Sequence, residues 1–408
     1  MTDPRDVRRD RAEVPATATP TDLDDAEALA ATDPADFLGS VEQFPVQVEE
    51  AWKLGAEAAD LPEGEGVSSL AILGVGGSGI SGDAVRGVLG ARSRLPVHTL
   101  RGSDLPAWVG RNTLVFAVSY SGNTEETLHL FDQARGRGAR LVALTSGGVL
   151  GERAGAAGAA VVLLPDGLQP RAALGYLTIP ILVVLERLGL GPHVTGDLAG
   201  AIGLLQQRAA EYGRSSPAES NAAKRLALSL MGKLPWVYGS EGLSEVAAYR
   251  WKCQMNECAK TPCSSNFFPE LTHNEVVGWS GKAQLTRVNG ALVVLRHDGE
   301  SPAMARRIDA TLRLIRGSFA VATEIRAQGP SELARFLDLT YLGDFTSTYL
   351  AIAQGVDPAP VEPIERLKRE LAALSAGGEG AGSLESLESL EERDDLRPAV
   401  RRVDPPSD

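Results

Sequence analysis

Short apolar runs that end in Gly- and Ser-rich turns recur along the first half of this chain. They occur at 68–74, 96–102, 113–122, 139–148 and 159–167. None of them alternates between polar and apolar residues, which is typical of strands that are buried on both faces in a parallel sheet. A helical pattern follows several of these turns, as in TEETLHLFDQARG after the third run. The sequence therefore predicts an α/β fold with helices on both faces of the sheet.

The same pattern returns in the second half of the chain. KLPWVYGSEG at 233–242 is followed by the helical segment LSEVAAYRWKCQMNECAK, which echoes the pattern at 68–85. Further strands are expected at 290–299 and 317–329. We predict two tandem domains, 36–210 and 211–373, each a mainly parallel sheet flanked by helices. The polar ends, 1–35 and 374–408, are predicted to be a disordered leader and a disordered tail.

The clearest helical signal lies at 331–354. Apolar and aromatic residues recur there at spacings of three and four, which predicts a helix with one buried face. Ser331 is the expected N-cap and Gly355 the expected stop.

Composition and charge exclude several classes of protein. The net charge is −13 and the isoelectric point is about 5.0, which disfavours nucleic acid as a partner. No apolar run reaches the roughly 18 residues of a membrane span, and the first residues lack the apolar core of a signal peptide. A cytoplasmic protein without a membrane partner is expected. The three cysteines are spaced five apart, which does not fit a metal site, so we predict no metal.

Two strand-to-helix turns have the composition of phosphate-binding loops. In GVGGSGISGD, Gly76 and Gly77 allow close approach of the backbone to a ligand, and Ser78 adds a hydroxyl donor. In SYSGNTEET, three hydroxyls surround a glycine at the start of a helix: Ser119, Ser121 and Thr124. Free N–H groups at a helix start attract anions. The alternative for Thr124 is a simple helix cap.

The first of these loops also satisfies the dinucleotide fingerprint through Gly74, Gly76 and Gly79. That fingerprint expects an acidic residue at the end of the second strand, where this chain has Leu100-Arg101-Gly102. NAD is therefore disfavoured, while Arg101 leaves an NADP enzyme open.

The segment Met255–His273 contains a carboxylate and an imidazole, Glu257 and His273. No serine nucleophile with a His–Asp pair is evident there, so the segment predicts proton transfer and not nucleophilic catalysis. A lone Glu at a helix end would otherwise be a solvated surface residue.

Five motifs stand in the order of a known family: GVGGSGISGD, SYSGNTEET, QPRAALGYL, NECAK and PELTHNEVVGW. Across 68–370 the chain resembles the bifunctional phosphoglucose/phosphomannose isomerases, a branch of the phosphoglucose isomerase superfamily with sugar isomerase (SIS) domains. The resemblance implies two SIS domains and a hexose 6-phosphate substrate. It implies no metal or redox cofactor. It also implies a homodimer in which the neighbouring subunit supplies His273.

The resemblance also implies roles for four side chains. Glu257 is the base that moves a proton between adjacent carbons through an enediol, and His273 opens the sugar ring. Arg171 stabilises the enediolate, and Lys368 assists ring opening. A threonine that the family has near this lysine is missing, because the segment reads GVDPAPVEPIER. The usable C2 epimer therefore stays open, and the alternatives are an isomerase restricted to mannose 6-phosphate and a non-catalytic phosphosugar sensor.

Overall fold

A computed structural model of the protein describes residues 20–281 and 283–376. Its first sheet has five parallel strands in the order β2-β1-β3-β4-β5. They are β1 (Ser69–Leu73), β2 (Val97–Leu100), β3 (Thr113–Val118), β4 (Arg140–Thr145) and β5 (Ala160–Leu163). The second sheet has four parallel strands in the order β7-β6-β8-β9. They are β6 (Leu234–Ser240), β7 (Ser264–Phe268), β8 (Gly290–Arg296) and β9 (Val321–Arg326).

Helices connect and cover these strands. Three helices precede β1 in the sequence: α1 (Ala26–Thr32), α2 (Phe37–Glu42) and α3 (Phe44–Glu57). Three more connect strands of the first sheet: α4 (Gly77–Leu89), α5 (Glu125–Gly136) and α6 (Gly148–Ala156). In the chain segment that connects β5 to β6, the helices are α7 (Leu174–Arg187), α8 (Thr195–Tyr212) and α9 (Ala222–Leu230). The remaining helices are α10 (Leu243–Glu257), α11 (Glu275–Gly281), α12 (Ala283–Asn289), α13 (Pro302–Ile315), α14 (Glu332–Ala353) and α15 (Glu362–Ala376).

Both faces of each sheet are covered, which explains the continuous apolar runs. In β1, Leu70 and Ile72 pack into one core cluster, whereas Ala71 and Leu73 pack into another. Alternate residues of a strand point to opposite faces, so a strand in the middle layer needs apolar residues at every position. The predicted fold class, parallel sheets flanked by helices in two domains, is confirmed.

Among the nine strands of the described residues, β7 is the one that the sequence did not predict. Its residues, SSNFF, are partly polar, and four of the five are not fully buried. The strand lies at the edge of the second sheet, beside β6. An edge strand has a partly open environment, so it lacks the long apolar run on which the other predictions relied.

The predicted helix at 331–354 is confirmed as α14, and Ser331 accepts a hydrogen bond from the Ala334 N–H as its N-cap. The expectation of one buried face is wrong. From Phe336 to Ala353 every residue is buried, including Asp338 and Asp344. The helix packs against α8, α9 and α10, so its polar positions are also enclosed.

Part of the predicted leader is ordered. Within 20–35, helix α1 begins after Asp25, whose carboxylate accepts hydrogen bonds from the Glu27 and Ala28 N–H groups. Leu23 and Leu29 are buried, so this segment gains enough apolar contact to be structured. Residues 1–19 of the leader and 377–408 of the tail lie outside the described residues.

The domain limits stay predictions, although the boundary predicted after residue 210 falls inside α8. A compact unit ends at Ala359, and a second begins at Pro360 and contains α15. Within the described residues, no helix is both long and apolar enough to cross a membrane.

Candidate active site

The two predicted phosphate loops meet at the switch point of the first sheet. The loop after β1 leads to α4 and the loop after β3 leads to α5, while β2 and β4 lie on opposite sides of this pair of strands. In a parallel sheet with this strand order, ligands bind in the crevice at the β1/β3 switch point. The Ser78 hydroxyl accepts a hydrogen bond from the Tyr120 N–H at 3.3 Å, so the loops touch each other.

The first loop leaves its helix start uncapped. Gly76 has φ +60° and ψ −131°, and no side chain caps the first N–H groups of α4. These donors are therefore available to an anion. A Cβ atom on Gly77 would lie only 2.7 Å from the Pro170 carbonyl oxygen, so this position needs glycine. The close approach also brings the turn that contains Arg171 against the loop.

The second loop holds its hydroxyls together. Ser119 Oγ and Thr124 Oγ1 are 2.9 Å apart, while the exposed Ser121 accepts a hydrogen bond from the Asn123 N–H. Thr124 precedes α5, but its side chain makes no capping hydrogen bond. The simple capping interpretation of Thr124 therefore does not hold. Gly122 has φ +69° and packs against the Gly147 carbonyl, which explains the glycine between the hydroxyl residues.

A third loop, after β4, supports the second and was not predicted as part of the site. Ser146 Oγ donates to the Tyr120 carbonyl at 2.7 Å, and the Asn123 side-chain oxygen accepts from the Val149 N–H at 3.2 Å. Its sequence, TSGG, has the same Ser- and Gly-rich composition at a strand end. That composition was the available signal.

Arg171 is buried at the junction of several segments. It lies in a 3-10 turn, Pro170–Ala172, and its side chain is 5% exposed. One guanidinium nitrogen, Nη2, donates to the carbonyl groups of Pro358 (2.9 Å) and Ala359 (2.6 Å). The other, Nη1, lies 3.9 Å from Glu257 Oε2. The structure therefore brings Arg171 and Glu257 together, as a loose ion pair.

Packing of α4 against α10 explains why Glu257 lies near the first loop. The end of α4 meets the start of α10, because a Cβ on Gly87 would lie 3.3 Å from the Gly242 carbonyl oxygen, and Arg86 is 3.7 Å from Glu245. At the other ends, Gly77 of α4 packs against Pro170, and the next residue, Arg171, lies opposite Glu257 of α10. The two helices are therefore antiparallel.

The turn after α10 fixes the Glu257 backbone. Lys260 has φ +50°, and its ammonium group donates to the carbonyl groups of Glu257 (2.5 Å) and Pro358 (3.2 Å). Burial lowers the pKa of Lys260. Cys258 is fully buried, and burial raises the pKa of its thiol to about 11. The Glu257 side chain is 29% exposed, so substrate can reach its carboxylate.

His273 does not join Glu257 within one chain. It is exposed at the end of a 3-10 turn, Glu270–His273, and the described residues provide no hydrogen-bond partner for its ring. Helix α10 runs antiparallel to β6, so Glu257 lies near the end of the sheet at which β6 begins. The five-residue strand β7 is parallel to β6, so His273, which follows β7, lies near the opposite end. At about 3.3 Å per residue, β7 alone separates the two ends by roughly 16 Å.

Lys368 lies in α15, in the compact unit that begins at Pro360, and is exposed. Its predicted role stays a prediction.

The side chain of Arg101, the residue that left an NADP enzyme open, is already bound to groups of the protein. It donates to the Gly79 carbonyl at 3.0 Å and pairs with Asp83, so its charge is compensated within the protein.

Comparisons with known proteins agree with this arrangement of sheets and loops. Residues 67–153 match the SIS domain, and residues 219–371 match the bacterial phospho-glucose isomerase C-terminal SIS domain. A solved hypothetical protein from Thermus thermophilus superposes with a TM-score of 0.61 over 85% of this chain and 93% of its own. Its sequence identity of 17% supports the fold alone.

Three curated relatives match over most of their own length. A bifunctional phosphoglucose/phosphomannose isomerase from Caldicellulosiruptor bescii is 41% identical over 79% of this chain and 95% of the relative. One from Aquifex aeolicus is 35% identical over 72% and 87%. A D-glucosamine-6-phosphate 4-epimerase from Sulfolobus acidocaldarius is 32% identical over 58% and 72%. By the extent of these matches, the chain belongs to the bifunctional phosphoglucose/phosphomannose isomerase family.

Proposed function

We propose that this chain is an aldose–ketose isomerase that interconverts glucose 6-phosphate, mannose 6-phosphate or both with fructose 6-phosphate. The observation that carries the proposal is the Arg171–Glu257 pair, 3.9 Å apart, beside the Gly- and Ser-rich loops. An anion site and a carboxylate base are the two parts that this reaction needs. Relatives that cover most of the chain are named for both aldose phosphates. A cytoplasmic location, as expected from the sequence, is part of this proposal.

The sugar phosphate binds through neutral donors at the first switch point. The uncapped N–H groups around Gly76, Gly77 and Ser78 face the anion, supported by the positive end of the α4 dipole. A second group of donors consists of the hydroxyls Ser119, Ser121 and Thr124. Glu125 and Glu126 are exposed, outside this group of donors.

Glu257 then moves one proton. Its carboxylate removes the proton from C2 of the open-chain aldose to give an enediolate, and then returns the same proton to C1. The proton of the C2 hydroxyl passes to the former C1 carbonyl oxygen, so C1 carries a hydroxyl and C2 becomes the ketone carbonyl. The product has the same formula as the substrate, so the step needs no external oxidant or reductant. Arg171, a fixed buried cation, stabilises negative charge on the enediolate oxygens.

Ring opening requires a group that both donates and accepts a proton, which an imidazole does near neutral pH. We assign this role to His273 of a second subunit in a homodimer. The roughly 16 Å that β7 interposes supports this assignment, since His273 and Glu257 of one chain lie at opposite ends of the same α/β unit. Lys368 assists ring opening in this proposal.

A direct assay tests the reaction. Purified protein is incubated with EDTA and no added cofactor, separately with glucose 6-phosphate, mannose 6-phosphate and glucosamine 6-phosphate. Fructose 6-phosphate from either of the first two substrates supports the proposal and assigns the usable epimer. Epimerisation of the third alone would replace it with the reaction named for the Sulfolobus acidocaldarius relative. Binding without turnover of any substrate would favour the phosphosugar sensor.

Mixing two inactive variants tests the shared site. Glu257→Gln and His273→Gln are unfolded together and refolded as a mixture. If the site is shared, half of the dimers are mixed, and each mixed dimer has one intact site, so activity returns to about a quarter of the wild-type value. Absence of recovery, with mixed dimers demonstrated by mass spectrometry, would place both residues in one subunit.

A further inference from the structure

One face of α10 leads from the protein interior to the candidate base. Arg250, Gln254 and Glu257 are spaced by four and three residues, so they lie along one side of the helix. Asp344 of α14 accepts hydrogen bonds from the first two, from Arg250 at 2.7 Å and from Gln254 at 3.0 Å. Arg250 is 2% exposed, Gln254 1% and Asp344 5%.

Arg250 also holds the turn that contains Arg171. The guanidinium nitrogen that donates to Asp344 also donates to the Arg171 carbonyl oxygen at 2.9 Å. Thus one buried side chain connects α14, α10 and the 3-10 turn. These contacts determine where the Arg171 turn lies relative to the end of α10, and therefore the separation of Arg171 from Glu257.

The charges of this region balance in pairs. Arg171 and Arg250 are both buried cations, and burying an uncompensated cation is costly. Asp344 compensates Arg250 through a direct ion pair. Glu257 is left opposite Arg171 at 3.9 Å, without a hydrogen bond between their side chains. If Asp344 were neutral, Glu257 would lie opposite Arg171 and about two helical turns from an uncompensated Arg250 charge.

We propose that Arg250 and Asp344 are positioning residues for the Glu257 base. Arg250 fixes the Arg171 turn at the end of α10. Asp344 cancels the charge of Arg250, so that Glu257 still accepts a proton from the substrate. This inference rests on the proposed isomerase function, because it assigns Glu257 as the base.

Other groups also act on the Glu257 carboxylate. They are Cys253 on the same helix, Cys258 and Lys260 in the turn after it, and Arg171 from the 3-10 turn. Asp357, from the segment after α14, acts on Lys260. A substitution at position 344 leaves all of these side chains in place, including Arg171, whose turn is still held by Arg250. A changed protonation of Glu257 in a position-344 variant therefore reports the loss of the Asp344 charge.

The decisive variant is Asp344→Asn. Asparagine has nearly the same shape, and Gln254 can turn its amide to restore a hydrogen bond. The unpaired Arg250 charge should stabilise ionised Glu257. The acid limb of the pH profile, where kcat/KM falls at low pH, should therefore move to a pH that is lower by about one unit. We expect kcat to fall about tenfold or more. An acid limb that stays at its wild-type pH would overturn the electrostatic role.

Two further variants separate charge from geometry. The double variant Arg250→Gln/Asp344→Asn has no charge in the pair, so the acid limb should return to its wild-type pH although kcat stays low. Arg250→Lys keeps the charge, but its ammonium group ends one bond short of the Nη2 atom that makes both hydrogen bonds, so kcat should fall with the acid limb unmoved. A double variant that keeps the shift of the single variant would contradict charge cancellation.

The same helix offers a matched control. Asp338 is also buried in α14 and pairs with a buried arginine, Arg208, at 2.8 Å. Asp338→Asn should destabilise the protein by a similar amount without moving the acid limb. An equal shift in this variant would mean that loss of stability alone moves the limb.

A titration without substrate separates this inference from the proposed function. Carboxyl resonances of Glu are followed by 13C NMR against pH, and Glu257→Gln identifies the resonance of Glu257. A lower Glu257 pKa in Asp344→Asn supports the inference even if the protein turns over no hexose phosphate. An unchanged pKa, in a protein that is an active isomerase, overturns the inference and leaves the proposed function intact.

Discussion

The two sheets share the order of their first four strands, yet their switch points are built differently. At β1/β3 the start of α4 has no side-chain cap, and the hydroxyls of the second loop lie beside it. At the β6/β8 switch point, side chains of the protein itself occupy the crevice. Glu245 accepts from the Gly242 N–H at 3.0 Å, and Ser240 Oγ contacts both Ser244 Oγ (3.0 Å) and His297 Nε2 (3.3 Å).

This difference shows that a switch point offers a place for a ligand but binds one only if its helix start and loop donors are left free. A carboxylate at the start of α10 occupies the place where the first domain leaves room for an anion. The candidate catalytic groups of the second domain lie elsewhere, Glu257 at the end of α10 and His273 beyond β7. In the proposed reaction, the first domain thus supplies binding, and the second supplies proton transfer.

The largest expected effect is that of Glu257→Gln. Without the base, kcat should fall by about a thousandfold or more, while the Kd for hexose 6-phosphate stays within about twofold of the wild-type value. Steady-state kinetics and calorimetric binding measure the two quantities. The matched control is Glu245→Gln at the other end of α10, which should keep its activity. Substantial turnover by Glu257→Gln would remove the assignment of the base.

A smaller but still large effect is expected for Gly77→Ala. The new Cβ would meet the Pro170 carbonyl oxygen at 2.7 Å, which displaces either the first loop or the Arg171 turn. We expect KM to rise at least about tenfold and kcat to fall as well. Gly102→Ala serves as the control, since no atom lies within 4 Å of a Cβ at that position. Equal kinetics of the two variants would contradict close packing at Gly77.

A pair of serine substitutions compares the two switch points directly. Ser119→Ala removes a hydroxyl from the open crevice, and KM should rise about fivefold through loss of about 1 kcal/mol of binding. Ser240→Ala removes a hydroxyl from the closed crevice, so KM should be unchanged while the free energy of unfolding falls by about 1 kcal/mol. An increase of KM in Ser240→Ala would mean that the second switch point also binds substrate.

The smallest effect concerns pH and the closed switch point. Burial lowers the pKa of His297, which lies near Glu300, Glu332, Arg335 and Asp298. The folded state therefore favours the neutral ring, so its stabilisation is present above the unfolded pKa of about 6.5 and is lost as pH falls below it. His297→Gln should reduce the loss in the free energy of unfolding as pH decreases below about 6.5. Chemical denaturation at several pH values measures this, and an unchanged slope would contradict it.

The sequence predicted the local parts of the molecule well. The strand that precedes Gly76, the strand that precedes Ser119 and helix α14 all follow from patterns within about twenty neighbouring residues. The edge strand β7 escaped because its residues are partly exposed. The burial of α14 on all sides also escaped, because the period of its apolar residues does not indicate how many neighbours surround it.

Residues close in sequence and residues close in space also differ at the candidate site. Glu257 and His273 are neighbours in the sequence segment that carries the predicted chemistry, yet β7 separates them within one chain. Conversely, Arg171 meets Pro358 and Ala359, and Arg250 meets Asp344, across large sequence separations. No local pattern indicates such pairs.

By itself, the sequence determined the α/β class, the two rounds of strand and helix, the Gly- and Ser-rich loops and the carboxylate at Glu257. These depend on backbone preferences and on the periodicity of apolar residues, which act between near neighbours. Tertiary structure alone decided which switch point stays open, which cation faces Glu257, and that His273 lies away from it. The reason is physical: these contacts join helices, strands and turns that packing brings together.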